Sequence, residues 1–334
     1  MRRSMLFLPG NNPNMLINGN CLGADAVIFD LEDAVSPDQK DAARILVRNT
    51  MRYMDFRGCE IIVRINSIDT AYWRKDIDAI APYTPGLILL PKTSSVSDVM
   101  AADAYMSEVQ EKLGLPRNTV GLMPLIETAM GVENAFAIAS ATKRVKTLFL
   151  GAEDLTADLQ CKRTKEGREI EYARTRLVVA ARAAGIAVYD TPFTDVNDDE
   201  GIWKDAQLAK ALGFTGKASI SPRHVEVINA VFSPTQKEID YAYEVMEAIA
   251  LAKAQGKGAI ALHGKMIDAP IVARAQRTID MAKALGQALA LRLPENARIL
   301  CIDRIRVGDG SFLDIGTPVG CALPVVVKTL VLSK

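Results

Sequence analysis

Short apolar, β-branched runs alternate with longer amphipathic stretches along the first two-thirds of the chain. The runs occupy residues 5–8, 26–29, 61–65, 87–90, 120–126, 147–150, 186–189 and 216–220, eight in all. Between them, stretches such as 37–53, 96–113, 169–184 and 200–212 carry apolar residues at three- and four-residue spacing, the period of an amphipathic helix. Strands that are apolar on both faces belong to a parallel sheet covered by helices, and eight β-then-α units suit closure into a (β/α)8 barrel. An open doubly wound sheet is the alternative. The residues just past the strands favour the barrel: Asp30-Leu31-Glu32-Asp33, Arg64-Ile65-Asn66, Lys92, Glu127, Gly151-Ala152-Glu153-Asp154, Asp190-Thr191-Pro192 and Ser219-Ile220-Ser221. In a barrel these polar groups converge on one mouth, whereas an open sheet strings them along an edge.

Beyond the eighth unit the pattern predicts a helix over 222–232 and a longer one over about 234–254. A Gly256-Lys257-Gly258 break follows, then a helix over about 269–291. From Pro294 the character changes to short strands and turns, with 298–305 and 325–332 as strands around Gly308-Asp309-Gly310. The expected organisation is a barrel over 1–232, a helical segment over 233–293 and a β-rich tail over 294–334. The tail carries no recognisable chemistry and reads as a packing or oligomerisation element.

The chain has 334 residues, 49% of them hydrophobic, with 40 Lys+Arg balancing 40 Asp+Glu. It can bury a large core, and charge balance with a pI near 6.8 argues against the cationic surface that binding nucleic acid requires. The apolar run at the N-terminus stops at Pro9-Gly10, too short for a signal-peptide core, and no stretch reaches the length of a membrane span. Cys21, Cys59, Cys161, Cys301 and Cys321 are odd in number and scattered, as expected of reduced thiols in a cytoplasmic protein. With only His224 and His263, in different segments, a His-rich metal site is excluded. The serine-hydrolase elbow, the dinucleotide fingerprint and the P-loop are all missing.

Glu127 and Asp154 follow the fifth and sixth strands, neighbours in a barrel, so their carboxylates can share a hard cation. Magnesium suits two acids, because it keeps its other positions for water and substrate oxygens. The competing reading pairs either acid with Lys92 or Arg64. Arg64 lies in an otherwise apolar strand, where an unpartnered charge would be costly, so it must face an anion. That anion is either a substrate carboxylate or oxyanion gripped by the guanidinium fork, or Glu32 or Asp33. Lys92 could be a Schiff-base amine, an oxyanion stabiliser or a partner for the acidic loop; with so many acids close by its pKa should rise, and charge pairing ranks first. Asp30, Glu32 and Asp33 crowd one turn and need cations.

Read together, residues 3–10 (RSMLFLPG), 30–35 (DLEDAV), 63–66 (VRIN), 90–92 (LPK), 125–128 (LIET), 151–155 (GAEDL) and 263–268 (HGKMID) resemble the citrate lyase beta subunit family of the HpcH/HpaI aldolase superfamily, in family order over about residues 2–290. The resemblance implies a magnesium-dependent carbon–carbon lyase on a TIM barrel, cleaving a 3-hydroxyacyl thioester of the citryl-CoA or citryl-acyl-carrier-protein type to a 2-oxo acid and an acyl thioester. It implies Glu127 and Asp154 as the Mg²⁺ ligands and Arg64 as the substrate-binding arginine. It adds Asp268, an acid or base that reaches a neighbouring subunit's mouth; from sequence alone Asp268 is a helix N-cap. The candidate site is thus Arg64, Asp268, Glu32 and Lys92 as catalytic groups, Arg64, Asp33 and Asn66 for substrate, and Glu127 and Asp154 for metal. Expected partners are copies of the chain, in a trimer or a multiple of three, and other citrate lyase subunits. The first loop, Asn11-Asn12-Pro13-Asn14, lacks the basic residues that family members often place against the CoA phosphates, so CoA and an acyl-carrier protein stand as alternative carriers. Malyl-CoA or citramalyl-CoA lyase, a malate-synthase- or thioesterase-like activity on the same scaffold, and a non-catalytic subunit are the alternative functions.

Overall fold

The structure, a computed structural model, describes residues 2–56, 58–254 and 260–286, together with the backbone of three short strands at 304–306, 312–314 and 330–331. It divides into two compact units, Met1–Ser233 and Pro234–Lys334.

In the first unit eight parallel strands close a barrel in chain order: β1 Ser4–Pro9, β2 Ala26–Asp30, β3 Glu60–Arg64, β4 Leu87–Leu90, β5 Gly121–Ile126, β6 Thr147–Leu150, β7 Ala187–Asp190 and β8 Gly216–Ser219. β8 returns to β1, with Ser4 beside Lys217. The (β/α)8 expectation therefore holds. Side chains alternate between two cores, as the period-two geometry of a strand requires. Met5, Ile28, Ile62, Leu89, Leu125, Phe149, Tyr189 and Ala218 fill the inside of the barrel. Leu6, Val27, Phe29, Val63, Ile88 and Val188 face outward to the helices. Both faces are buried, which is why the strands read as continuous apolar runs.

The helices are α1 Pro13–Asn18, α2 Lys40–Tyr53, α3 Trp73–Ile80, α4 Val96–Lys112, α5 Ala129–Glu133, α6 Ala135–Ala139, α7 Ala152–Asp158, α8 Glu171–Ala183, α9 Asp199–Leu212 and α10 Pro222–Phe232. Sequence periodicity located the long ones and passed over the five- to eight-residue ones, too short to display a period. α4 starts sharply because Ser95 and Asp98 form a reciprocal capping box.

The second unit contains α11 Gln236–Ala254 and α12 Ala269–Ala284, which share a small core of Ala242, Val245, Ile267, Ala275 and Ile279. Between them lies an unexpected hairpin, β9 Ile260–Leu262 and β10 Lys265–Ile267. Its turn residues, His263 (φ 50°) and Gly264 (φ 76°), are both left-handed, the geometry of a tight hairpin turn. β11 Arg304–Arg306 pairs with β12 Phe312–Asp314 and β13 Leu330–Val331. β11 and β13 overlap the expected tail strands, and β12 is additional. Residues 287–291 of the expected last helix, Gly308–Gly310, Cys301 and Cys321 lie outside the described residues.

Candidate active site

Inward alternation along β2 and β3 continues from Ile28 to Asp30 and from Ile62 to Arg64, and strand register sets those two residues side by side. Asp30 takes the Arg64 fork with both oxygens, Nε to Oδ1 at 2.7 Å and Nη2 to Oδ2 at 2.5 Å. The same carboxylate accepts the backbone N–H groups of Glu32 at 2.8 Å and Ala34 at 3.3 Å, which fixes the turn after β2. Buried Lys40 reaches that turn from α2 and donates to the carbonyls of Leu31 (2.8 Å) and Glu32 (2.6 Å). The Arg64 guanidinium lies 5.2 Å above the Phe7 ring and points Nη1 at Glu32 Oε2, 3.0 Å away, with Asp33 at 4.0 Å. Burial works against its charge, but Asp30, Glu32 and Glu127 outweigh burial and raise its pKa.

Lys92 follows β4 in a left-handed conformation (φ 52°). That backbone turn aims its N–H at Glu127 Oε1, 2.6 Å away, while its ammonium sits 2.8 Å from Glu32 Oε1 and 3.7 Å from Asp33. Partial burial opposes the charge, yet Glu32, Asp33 and Asp154 push the pKa up. A Schiff-base amine needs the opposite shift, so Lys92 is a charge partner.

Glu127 follows β5 and is buried. Burial first, then the negative charge of Asp154, push its carboxyl up to about 8, in spite of the Lys92 N–H that favours the ionised form. Its Oε2 lies against the Cα of Gly151: a Cβ placed on Gly151 would stand 2.6 Å from that oxygen and 2.8 Å from Glu127 Cβ. Gly151 caps α7, and Asp154, half-buried, lies in the first turn of that helix. Glu32 is also buried, and desolvation raises its pKa more than Arg64 and Lys92 lower it.

Five carboxylates (Asp30, Glu32, Asp33, Glu127 and Asp154) therefore share the mouth with three cationic side chains, Arg64, Lys92 and Lys40. Burial, with the charge of Asp154 added to it, raises the Glu127 carboxyl, and a carboxyl so raised is one whose proton a divalent ion can replace. All-oxygen donors suit Mg²⁺. Among the described residues no group of three or more His, Cys, Asp or Glu is arranged for a metal.

Of the residues singled out from sequence, Glu32, Asp33, Arg64, Lys92, Glu127 and Asp154 thus come together. Asn66 does not join them: its N–H and amide bind Asp76 (3.0 and 2.7 Å), which Arg44 holds from α2. Asp190 is likewise away from the mouth. It alternates outward from Tyr189 and lies among Arg174, Lys217 and Asp205 beneath the helices. Asp268 is in the second unit, at the N-cap of α12, accepting from the Ile271 N–H at 3.3 Å. Sequence reasoning counted Asp30 only among three crowded anions, some of them holding Arg64 and Lys92 in place, although its parity with Ile28 marks it as inward. It also missed Lys40, Phe7 and Gly151. A cavity of about 450 Å³ elsewhere in the first unit is lined by Lys165, Phe193, Asp198 and Asp205 and by none of the mouth residues.

The family model described as HpcH/HpaI aldolase/citrate lyase matches residues 3–222. A second, ethanolamine utilisation protein EutA, matches residues 230–333 and is a likeness of that segment only. The chain is 43% identical over 284 residues to the citrate lyase subunit beta of Leuconostoc mesenteroides subsp. cremoris, covering 85% of this chain and 94% of the relative. It is 34% identical to a (3S)-malyl-CoA thioesterase of Cereibacter sphaeroides, covering 85% and 95%. Among solved structures it resembles the CitE protein of Mycobacterium tuberculosis in complex with magnesium, acetoacetate and coenzyme A, at 31% identity and a TM-score of 0.69, covering 84% of this chain and 98% of that one.

Proposed function

We propose, for a chain that belongs to the HpcH/HpaI aldolase/citrate lyase family, that it is a Mg²⁺-dependent lyase cleaving the Cα–Cβ bond of a 3-hydroxyacyl thioester, citryl-CoA or citryl-acyl-carrier protein first among them. Family membership places it among the lyases. The observation that carries the finer reading is the buried Glu127 carboxyl, pushed up to about 8 by burial and the charge of Asp154 and joined through the Lys92 N–H to the Lys92–Glu32–Arg64 chain of charges.

Glu127 and Asp154 would hold the ion, which when bound supplies a Lewis acid that makes a substrate hydroxyl easier to deprotonate. Arg64, through Nη1, binds the carboxylate of the departing 2-oxo acid and stabilises charge that develops there. Lys92 tethers Glu32 beside the Nη1 of that guanidinium, and Asp33, at the outer edge of the site, borders the substrate. Asn66 supports the wall from behind through Asp76. Asp268, carried on α12 of a neighbouring copy in a trimer or a multiple of three, would deliver a proton to the carbon left by cleavage. Subunits of a citrate lyase assembly are the natural further partners, given the name of the Leuconostoc relative.

A second reading is hydrolysis of the thioester, which the name of the Cereibacter relative favours. Incubating the purified chain with Mg²⁺ and citryl-, malyl- and citramalyl-CoA separates the two. A 2-oxo acid and a shorter acyl-CoA are expected; free CoA with the intact hydroxy acid would establish the thioesterase instead.

A further inference from the structure

The Nε/Nη2 edge of Arg64 is already filled. Nε and Nη2 both bind Asp30, the guanidinium face rests on Phe7, and Nη1 alone is directed along the mouth, toward Glu32. Asp30 is in turn immobilised, because it is buried, register holds it beside Arg64, and two backbone N–H groups of the adjoining turn bind its oxygens.

We infer that Asp30 is a positioning residue for the reaction: by holding the Nε/Nη2 edge it fixes the plane of Arg64, so that the Nη1 side is presented to the substrate in one orientation. This rests on the reading of Arg64 as the substrate-binding cation. It changes that reading in one respect, since the substrate carboxylate or oxyanion is held through Nη1 by displacing Glu32, whose carboxylate occupies that place and is tethered to Lys92 at 2.8 Å. The Nε/Nη2 edge serves orientation. Binding through the remaining N–H groups demands an accurately fixed guanidinium, and misplacement by about 1 Å can cost a factor of about 100 in turnover.

Asp30→Asn keeps the shape of the side chain and removes the charge that holds the fork. If Asp30 acts through Arg64, the two residues form one unit and their effects do not add. In the wild-type background Asp30→Asn should lower kcat/KM for the thioester by about 100-fold, with KM rising and Mg²⁺ affinity unchanged. In an Arg64→Lys background, with no fork left to orient, the same change should cost less than about threefold. Asp30→Glu, which keeps the charge but overreaches by one methylene, serves as a second variant should the first fail to fold, and must show the same non-additivity. Equal losses in both backgrounds would assign Asp30 to the turn after β2 alone and overturn the inference, as would wild-type kinetics for Asp30→Asn. Wild-type kinetics for Arg64→Lys by itself would instead remove Arg64 from substrate binding and sink the reading beneath.

Discussion

Glu127 carries the largest electrostatic consequence at the mouth. Its carboxyl titrates at about 8 in the folded chain and near its ordinary value of 4.5 when unfolded, so the folded state holds the proton more tightly between those two values. The stability this contributes is fully present below about pH 4.5, declines as pH rises and is gone above about 8. In EDTA the melting temperature should therefore fall between about pH 5 and 8. Mg²⁺ takes the place of the proton, so added metal should flatten that decline, and apparent Mg²⁺ affinity should rise with pH over the same window. A melting profile whose slope is indifferent to Mg²⁺ would contradict this. The position of this residue was legible in the sequence as an acid directly after an apolar strand. Its partners were less so: Lys92 donates through its backbone because φ is positive, and a backbone angle at a non-glycine residue leaves no mark in a hydrophobic pattern.

The strands were legible because each is buried on both faces, which produces unbroken apolar runs. Parity within a strand holds the rest of the information. Arg64 and Asp30 inherit their inward direction from Ile62 and Ile28, while Asp190, next to inward Tyr189, faces the helices. Reading Asp190 as a mouth residue failed because a charge at a strand end looks the same on either face until its parity is counted. The 260–267 hairpin escaped for another reason: its strands are three residues long, and Lys265 and Met266 are both exposed, so no alternation appears. The junction of β6 and α7 yields a test. A methyl on Gly151 meets Glu127 Cβ as well as Oε2, so rotating the carboxylate cannot relieve the clash. Gly151→Ala should cost about 1–3 kcal/mol of stability and weaken Mg²⁺ binding at least about tenfold. Wild-type Mg²⁺ affinity in that variant would show that Glu127 is not held against this glycine.

The two units raise the question of where Asp268 works. As an N-cap it is replaceable by Asn, which caps helices equally well, whereas as a proton donor it is not. Asp268→Asn should therefore leave the melting temperature within a degree or two while abolishing most turnover. If the Asp of one copy serves the mouth of another, co-assembled Asp268→Asn and Arg64→Lys chains should regain activity that neither has alone, because some mouths then receive intact Arg64 and intact Asp268 from different chains. Mixtures that stay as inactive as their components would restrict the catalytic set to one chain. This role had no local signature: a capping Asp before a helix is common, and only the resemblance of the 263–268 segment to the family set it apart.

The proposed chemistry depends most on one ion held jointly by Glu127 and Asp154. Titrating Mg²⁺ into the wild-type chain and into Glu127→Ala and Asp154→Ala by calorimetry, with circular dichroism to verify the fold, addresses this directly. One site per chain is expected, with affinity reduced at least about 100-fold in each variant, since loss of an outer partner of a metal ligand alone costs about 10–100-fold. Folded variants that both bind Mg²⁺ as tightly as the wild type would contradict it.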